Sequence, residues 1–306
     1  SCGISEAALE AIFQEILKAS VERQHRIGVA GRTSRGGRIL ILGGAGAMGG
    51  WLRTFFELVG HRVETVDPAQ ADPGPPGGAF SRLEEVADLD AYDAVVLATP
   101  LAGTAEVLER VVERRPRGLV VEIASIKSPL KPALDRAERE GVEVSSLHPM
   151  FGPGKHPYQP LTFVLACRRP AEEERKDLEP LLRHPYTRVV PIPFEHHDRL
   201  MGWLLGLAHL TSMLFGSALT RSGIEADEFH DLASTTFRRQ AATALSVLNE
   251  DPDLYLDIQH LNPHREEVYE AARQALEELE SRVAARDREG FRRLLDQARR
   301  AVEPRP

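Results

Sequence analysis

His148 stands in the string Leu147-His148-Pro149-Met150-Phe151-Gly152-Pro153, directly after a stretch that reads as extended. A neutral imidazole there can accept the proton of an alcohol as hydride leaves its carbon, since its ordinary pKa lies near neutrality. Ser125 and Lys127 follow the apolar run Leu119–Ala124, and Thr99-Pro100 follow Ala94–Ala98. A serine in that place can orient the imidazole or a substrate hydroxyl, although a serine after a strand also serves simply to cap a helix. The chain has 11 histidines, so position rather than residue type singles out His148.

A second constellation concerns a cofactor. Gly44-Ala45-Gly46-Ala47-Met48-Gly49 is a G-x-G-x-x-G between an apolar run and a helical stretch. The first glycine permits a tight turn, the second lets a pyrophosphate approach the backbone, and the third lets helix and strand pack closely. Phosphates would rest on the free N–H groups at the helix start, where the dipole favours negative charge. Asp67 follows Gly46 by 21 residues, where a carboxylate accepts hydrogen bonds from a ribose and repels a 2′-phosphate. NAD is therefore expected rather than NADP, held by Gly44, Gly46, Ala47, Met48, Gly49, Asp67, Thr99 and Pro100.

These residues need a sheet whose strands end at one rim. Arg38–Leu42, Arg62–Val66, Ala94–Ala98, Leu119–Ala124 and Val142–Leu147 read as strands, with helices expected over Met48–Val59, Ala105–Arg114 and Leu130–Glu140. Thr162–Ala166 and Arg188–Pro191 read as two closing strands, and proline-rich Pro68–Gly78 as loop. Strand–helix alternation implies an α/β Rossmann-type doubly wound parallel sheet over 38–193. After Pro193 only helical periodicity remains, at 195–221, 225–249, 263–284 and 288–302, so 194–306 reads as an all-helical domain. Residues 1–24 read as an isolated amphipathic helix and 25–37 as a linker.

Composition narrows the classes. Lys plus Arg total 38 against 46 acids, a formal −8 over 306 residues, with no basic block for nucleic acid. Hydrophobic residues at 42% and charged ones at 27% describe a globular chain. Cys2 and Cys167 allow neither a disulfide framework nor a paired-cysteine zinc site, which suits a reducing, cytoplasmic compartment. No metal site is expected, since His156 and His196-His197 lack neighbouring carboxylate or thiol clusters. The apolar stretch Leu200–Leu219 carries three glycines and a histidine and stands alone, so burial in protein, including a homodimer interface, is expected rather than a membrane span.

Together the glycine loop, Ile123-Ala124-Ser125-Ile126-Lys127 and the Leu-His-Pro-Met-Phe-Gly-Pro string resemble the prephenate dehydrogenase family of tyrosine biosynthesis. The resemblance runs over roughly residues 38–290, through His209 and Asp251-Pro252-Asp253-Leu254-Tyr255-Leu256-Asp257-Ile258. It implies that His148 accepts the ring hydroxyl's hydrogen bond, that Ser125 is its partner, and that His209 belongs to the substrate site beside Lys127. It further implies a cyclohexadienyl carboxylate substrate, NAD, and a helical dimerisation domain. Ile12–Gln24 resembles the last helix of a fused chorismate mutase domain, with Ser20 and Gln24 at matching positions, which makes it a piece of a bifunctional protein or a vestige without mutase activity. One position departs: where the family places an arginine for the substrate's side-chain carboxylate, this chain has Ser246. Arg238 and Arg239, two turns earlier and in a different helix phase, are the candidates to replace it, and a hydroxyl is no substitute for a bidentate guanidinium. Arogenate and the 4-amino analogue of prephenate remain alternative substrates. A β-hydroxyacid dehydrogenase would need a lysine in the long helix, which is absent. A non-catalytic NAD-binding regulator would accommodate Ser246 but leave Ser125, Lys127 and His148 unexplained.

Overall fold

A computed structural model describes residues 36–69 and 78–303. The helix expected over 1–24, with its chorismate mutase resemblance, and nearly all of the 25–37 linker lie outside the described residues. The chain divides into two units between His197 and Asp198, four residues beyond the boundary expected from composition.

The first unit is built on an eight-stranded sheet of order β3-β2-β1-β4-β5-β6-β7-β8. Its strands are β1 (Arg38–Leu42), β2 (Arg62–Val66), β3 (Ala79–Phe80), β4 (Ala94–Leu97), β5 (Leu119–Glu122), β6 (Val144–Pro149), β7 (Leu161–Cys167) and β8 (Thr187–Pro193). Strands β3 to β6 run parallel in the order 3-2-1-4-5-6 of a dinucleotide-binding sheet. Strand β7 then reverses against β6, with His148 opposite Val164, and β8 runs parallel to β7. The central strands β1 and β4 are apolar nearly throughout because helices cover both faces. Four of those helices are α1 (Ala47–Val59), α2 (Thr104–Glu113), α3 (Lys131–Glu140) and α4 (Ala171–Leu182).

Helix α4 was not expected. Its first turn is Glu172-Glu173-Glu174 and Pro180 interrupts it, so its apolar face shrinks to Leu178, Leu181 and Leu182. It is held from the outside: buried Glu174 accepts hydrogen bonds from the backbone N–H groups of Arg168 and Arg169, both at 2.7 Å. Strand β3 also escaped notice, since two residues carry no alternation to read.

The second unit is helical. Helix α5 (Phe194–Met201) starts in the first unit and passes through a π-helical segment, Gly202–Leu207, into α6 (Ala208–Leu219). Gln259 Nε2 donates to the carbonyl of Gly206 at 3.0 Å, so the widened turn keeps a partner for its backbone. Then come α7 (Ala226–Leu232), α8 (Thr235–Leu248), α9 (Pro252–His260), α10 (Arg265–Ala284) and α11 (Arg288–Val302). One expected helix needs revision, since 225–249 breaks at Ser234, whose hydroxyl caps α8 by accepting from Phe237 N, and α9 is an additional helix that was not expected.

One chain leaves most of its long apolar stretch uncovered, which suits the expected interface surface better than a core helix. The 26-residue helical run Phe194–Leu219 is long and apolar enough to cross a membrane, and only 22% of its most apolar window is buried. Leu204 and Leu214 each expose 56% of their surface.

Close packing of α1 on β1 fixes the glycine loop. A Cβ at Gly49 would sit 2.0 Å from the carbonyl oxygen of Gly43, whereas one at Gly50, on the next helical position, meets nothing within 4 Å. Gly49→Ala should therefore destabilise the chain by about 1–3 kcal/mol through overpacking. Gly50→Ala should leave stability unchanged or raise it by up to about 1 kcal/mol. Urea midpoints of the two variants against the parent chain check this.

Candidate active site

The glycine loop leaves β1 through Gly43, which takes the left-handed conformation (φ 91°) expected one residue later at Gly44. Ala45, Gly46 and Ala47 are exposed at its tip, with Met48 half-buried behind them. Helix α1 begins after Gly46 with no side-chain cap and no acid in its first turn, so its N–H groups and dipole are open to an anion. A Cβ on Gly46 would approach nothing nearer than 3.4 Å, so no protein atom requires glycine there, while a phosphate lying against the backbone would. Asp67, at the end of β2, accepts from Ala45 N and Ala69 N, each at 2.9 Å. One carboxylate has about four acceptor sites, so room remains for ribose hydroxyls. Across the switch point, the Thr99 hydroxyl is within 3.0 Å of the Thr104 hydroxyl, which also donates to the Pro100 carbonyl at 3.0 Å. The sequence-expected nucleotide residues thus converge on one rim, and they fit a dinucleotide.

Strands β5 and β6 are paired in parallel with Glu122 beside Ser146, so Ser125 and His148 leave adjacent strand ends. Ser125 is half-buried in the loop after β5. His148 is buried, and its Nδ1 lies 3.1 Å from Nε2 of His197, a residue the sequence reading considered only as a metal ligand. The segment after His148 is fastened to α1: Trp51 Nε1 donates to the carbonyl of Lys155, and its ring lies 4.8 Å from that of Phe151.

Lys127 requires a correction. Expected on the ligand rim, it is wholly buried, with Nζ 2.8 Å from Glu122 Oε1 and donating to the carbonyl of Leu147 at 3.0 Å. Glu122, equally buried, also accepts from Ala124 N at 2.8 Å. Lys127 therefore clamps the end of β5 to the backbone next to His148, and a substrate would meet its neighbours instead.

In the second unit His209 stands at the start of α6, edge-on to Tyr255 with ring centres 4.4 Å apart. Burial pulls its pKa down to about 4, so near neutrality it is an uncharged ring. Ser246 is exposed on α8 and donates to the carbonyl of Thr243 at 2.7 Å, while Arg238 and Arg239 are exposed nearer the start of the same helix. The phase argument against the arginines is corrected for one of them. Helix α8 is continuous, and seven residues at 3.6 per turn put Arg239 within about 20° of Ser246, about 10 Å along the axis. Arg238 lies about 80° from Ser246, on its other side.

The fold and the rim define a class: a nucleotide-binding Rossmann-type domain followed by a helical domain. Two family models match the chain, "Prephenate dehydrogenase, nucleotide-binding domain" over residues 67–163 and "Prephenate dehydrogenase, dimerization domain" over 193–297. Together they take in about two thirds of it, and the chain belongs to the prephenate dehydrogenase family. A Methanocaldococcus jannaschii protein named "Probable arogenate/prephenate dehydrogenase" is 27% identical over 85% of this chain, which spans 60% of that relative's length. The 4-amino-4-deoxyprephenate dehydrogenase of Streptomyces pristinaespiralis is 28% identical over 86% of the chain and 90% of its own length. The crystal structure of prephenate dehydrogenase from A. aeolicus, in complex with hydroxyphenyl propionate and NAD+, shares the fold with a TM-score of 0.70 at 17% identity, covering 88% of this chain and 98% of that one.

Two outcomes are expected. Lys127→Met, which leaves Glu122 charged and unpaired in the interior, should cost about 3–5 kcal/mol, and adding Glu122→Gln should recover part of it, as read from urea unfolding. His209 binds protons more readily unfolded than folded, so its contribution to stability is complete above pH 6.5 and is lost as pH falls towards 4. Replacing it by Gln should flatten the fall in unfolding midpoint between pH 7 and pH 4.5.

Proposed function

We propose that the chain catalyses the NAD-dependent oxidative decarboxylation of prephenate to 4-hydroxyphenylpyruvate, as a cytoplasmic homodimer. The observation that carries this reading is the placement of a buried, hydrogen-bonded imidazole at the end of β6, on the same sheet rim as the glycine loop. Bound NAD supplies the hydride acceptor. Gly44, Gly46, Ala47, Met48 and Gly49 receive the pyrophosphate, Asp67 the ribose, and Thr99-Pro100 border the cofactor. His148 Nε2 takes the proton of the C4 hydroxyl as the C4–H bond gives up its hydride. It returns that proton to the ring oxygen once carbon dioxide has left C1 and the ring is aromatic. Aromatisation supplies the driving force, so the protein has mainly to orient C4 and polarise one hydroxyl. Ser125 aligns the hydroxyl or the ring, and His209 contacts the substrate as a neutral group. Arg239, on Ser246's face of α8, reaches for the side-chain carboxylate. A second copy covering the exposed leucines of α5–α6 accounts for an apolar surface that one chain leaves in water.

A second reading has a specific observation behind it. The Streptomyces pristinaespiralis relative, named 4-amino-4-deoxyprephenate dehydrogenase, is spanned over 90% of its length, which favours the 4-amino analogue as the alternative substrate. With that substrate His148 would face an amine.

Prephenate, arogenate and 4-amino-4-deoxyprephenate assayed side by side, each with NAD and NADP, test the proposal. Prephenate with NAD should give the highest kcat/KM. A preference for the amino analogue would overturn the substrate assignment, and no NADH from any of the three would favour a regulator. His148→Asn should lose about 10²–10⁴-fold in kcat while binding NAD as before.

A further inference from the structure

His197 is fully enclosed, so it cannot touch a substrate, yet its Nε2 lies 3.1 Å from Nδ1 of His148 with the rings tilted by 51°. The residue is held firmly. It lies on the inward stripe Phe194-His197-Asp198-Met201 of α5, all four buried, while neighbouring His196 faces water. Arg168 stacks its guanidinium 5.3 Å from the centre of the Phe194 ring, and Lys131 bridges to Glu195 at 3.1 Å. The contact therefore joins two rings whose backbones are fixed independently, one by the β6–β7 ladder and one by the start of α5.

A neutral imidazole has one N–H and one bare nitrogen. Between two neutral rings the shared hydrogen belongs to one of them, and the choice determines what the other nitrogen of His148 can do. If His197 were the donor, His148 would carry its hydrogen on Nε2 and could accept nothing from a hydroxyl. If His148 Nδ1 is the donor, Nε2 carries no hydrogen and can accept one. We propose that His197 is the positioning residue of this site: its bare Nε2 accepts from His148 Nδ1–H and so selects the tautomer of His148 that can take a proton from a substrate. It orients His148 by accepting a hydrogen bond, as a carboxylate does beside other catalytic imidazoles. When His148 becomes an imidazolium, the same hydrogen bond becomes charge-assisted and shorter, so it strengthens as the reaction proceeds. This role rests on His148 being the hydroxyl-facing base proposed above.

The test has one arm that needs no turnover. In the full chain with ¹⁵N-labelled histidine and no ligand, ¹⁵N–¹H correlation at a pH where both rings are neutral should show His148 with its hydrogen on Nδ1 and a bare Nε2. The opposite tautomer would overturn the proposal, whatever any variant does. The second arm compares His197→Phe, which keeps a ring but no acceptor, with His197→Gln, whose amide oxygen can reach the place of Nε2. His197→Phe should lower kcat by about 10- to 1,000-fold with KM and NADH affinity within about twofold. His197→Gln should recover at least tenfold of that loss. Unchanged kcat in His197→Phe, or equal losses in both variants, would overturn the assignment. Should the parent chain reduce NAD with none of the three cyclohexadienyl acids, the proposed reaction fails while the tautomer measurement still decides the role of His197.

Discussion

The ammonium of Lys127, withdrawn from water between the Glu122 carboxylate and the Leu147 carbonyl, fastens together the two strand ends on which the proposed chemistry depends. A charge in that position is stable only because its partner is equally buried and the remaining acceptors are filled by backbone groups. Glu122 takes the ammonium on one oxygen and the N–H of Ala124 on the other, so the loop carrying Ser125 is folded back over its own strand. The carbonyl that Lys127 grips belongs to the residue just before His148. Strand β6 is thus constrained from three directions: by β5, by antiparallel β7 and by this clamp. A ring that must meet a reacting hydroxyl to within a few tenths of an ångström needs such a foundation, because small misplacements are costly in rate.

Much of this was legible in the residues because parallel strands covered on both faces leave an apolar run that few other structures require. Strands β1 and β2 were located from sequence to the residue, and α1 to within one position. The glycine spacing carried equally far, since the steric contact at Gly49 is a demand that only glycine meets. Legibility failed where the determinant was an interaction instead of a pattern. Helix α4 is anchored by a buried glutamate that reads as one more surface charge. His196 and His197 are alike in type, and only the stripe 194-197-198-201 distinguishes the enclosed ring from the exposed one. Lys127 could have been placed from Glu122, a carboxylate closing the run Leu119-Val120-Val121, where a buried acid demands a cation.

The helical unit obeys a different constraint. Its first long helix is apolar on more sides than the remaining helices of one chain can cover, so leucines remain in water. Sequence hydropathy reports how much apolar surface exists, whereas the identity of what covers it depends on assembly. The π-helical turn at Gly202–Leu207 shows the same helix adapting locally: widening it frees a carbonyl, and Gln259 of α9 takes it up. That turn delivers the chain to His209, whose burial against Tyr255 keeps it uncharged.

The two units carry imidazoles of different character. His209 is neutral because it is desolvated, and protonating it would bring a charge into apolar surroundings. His148 is also enclosed, but it has a second ring to share its hydrogen, so a proton arriving on Nε2 is spread along a hydrogen bond instead of being isolated. A base must accept a proton transiently without holding it permanently. In His148 that demand falls on the hydrogen bond to His197, which strengthens when His148 takes up a proton.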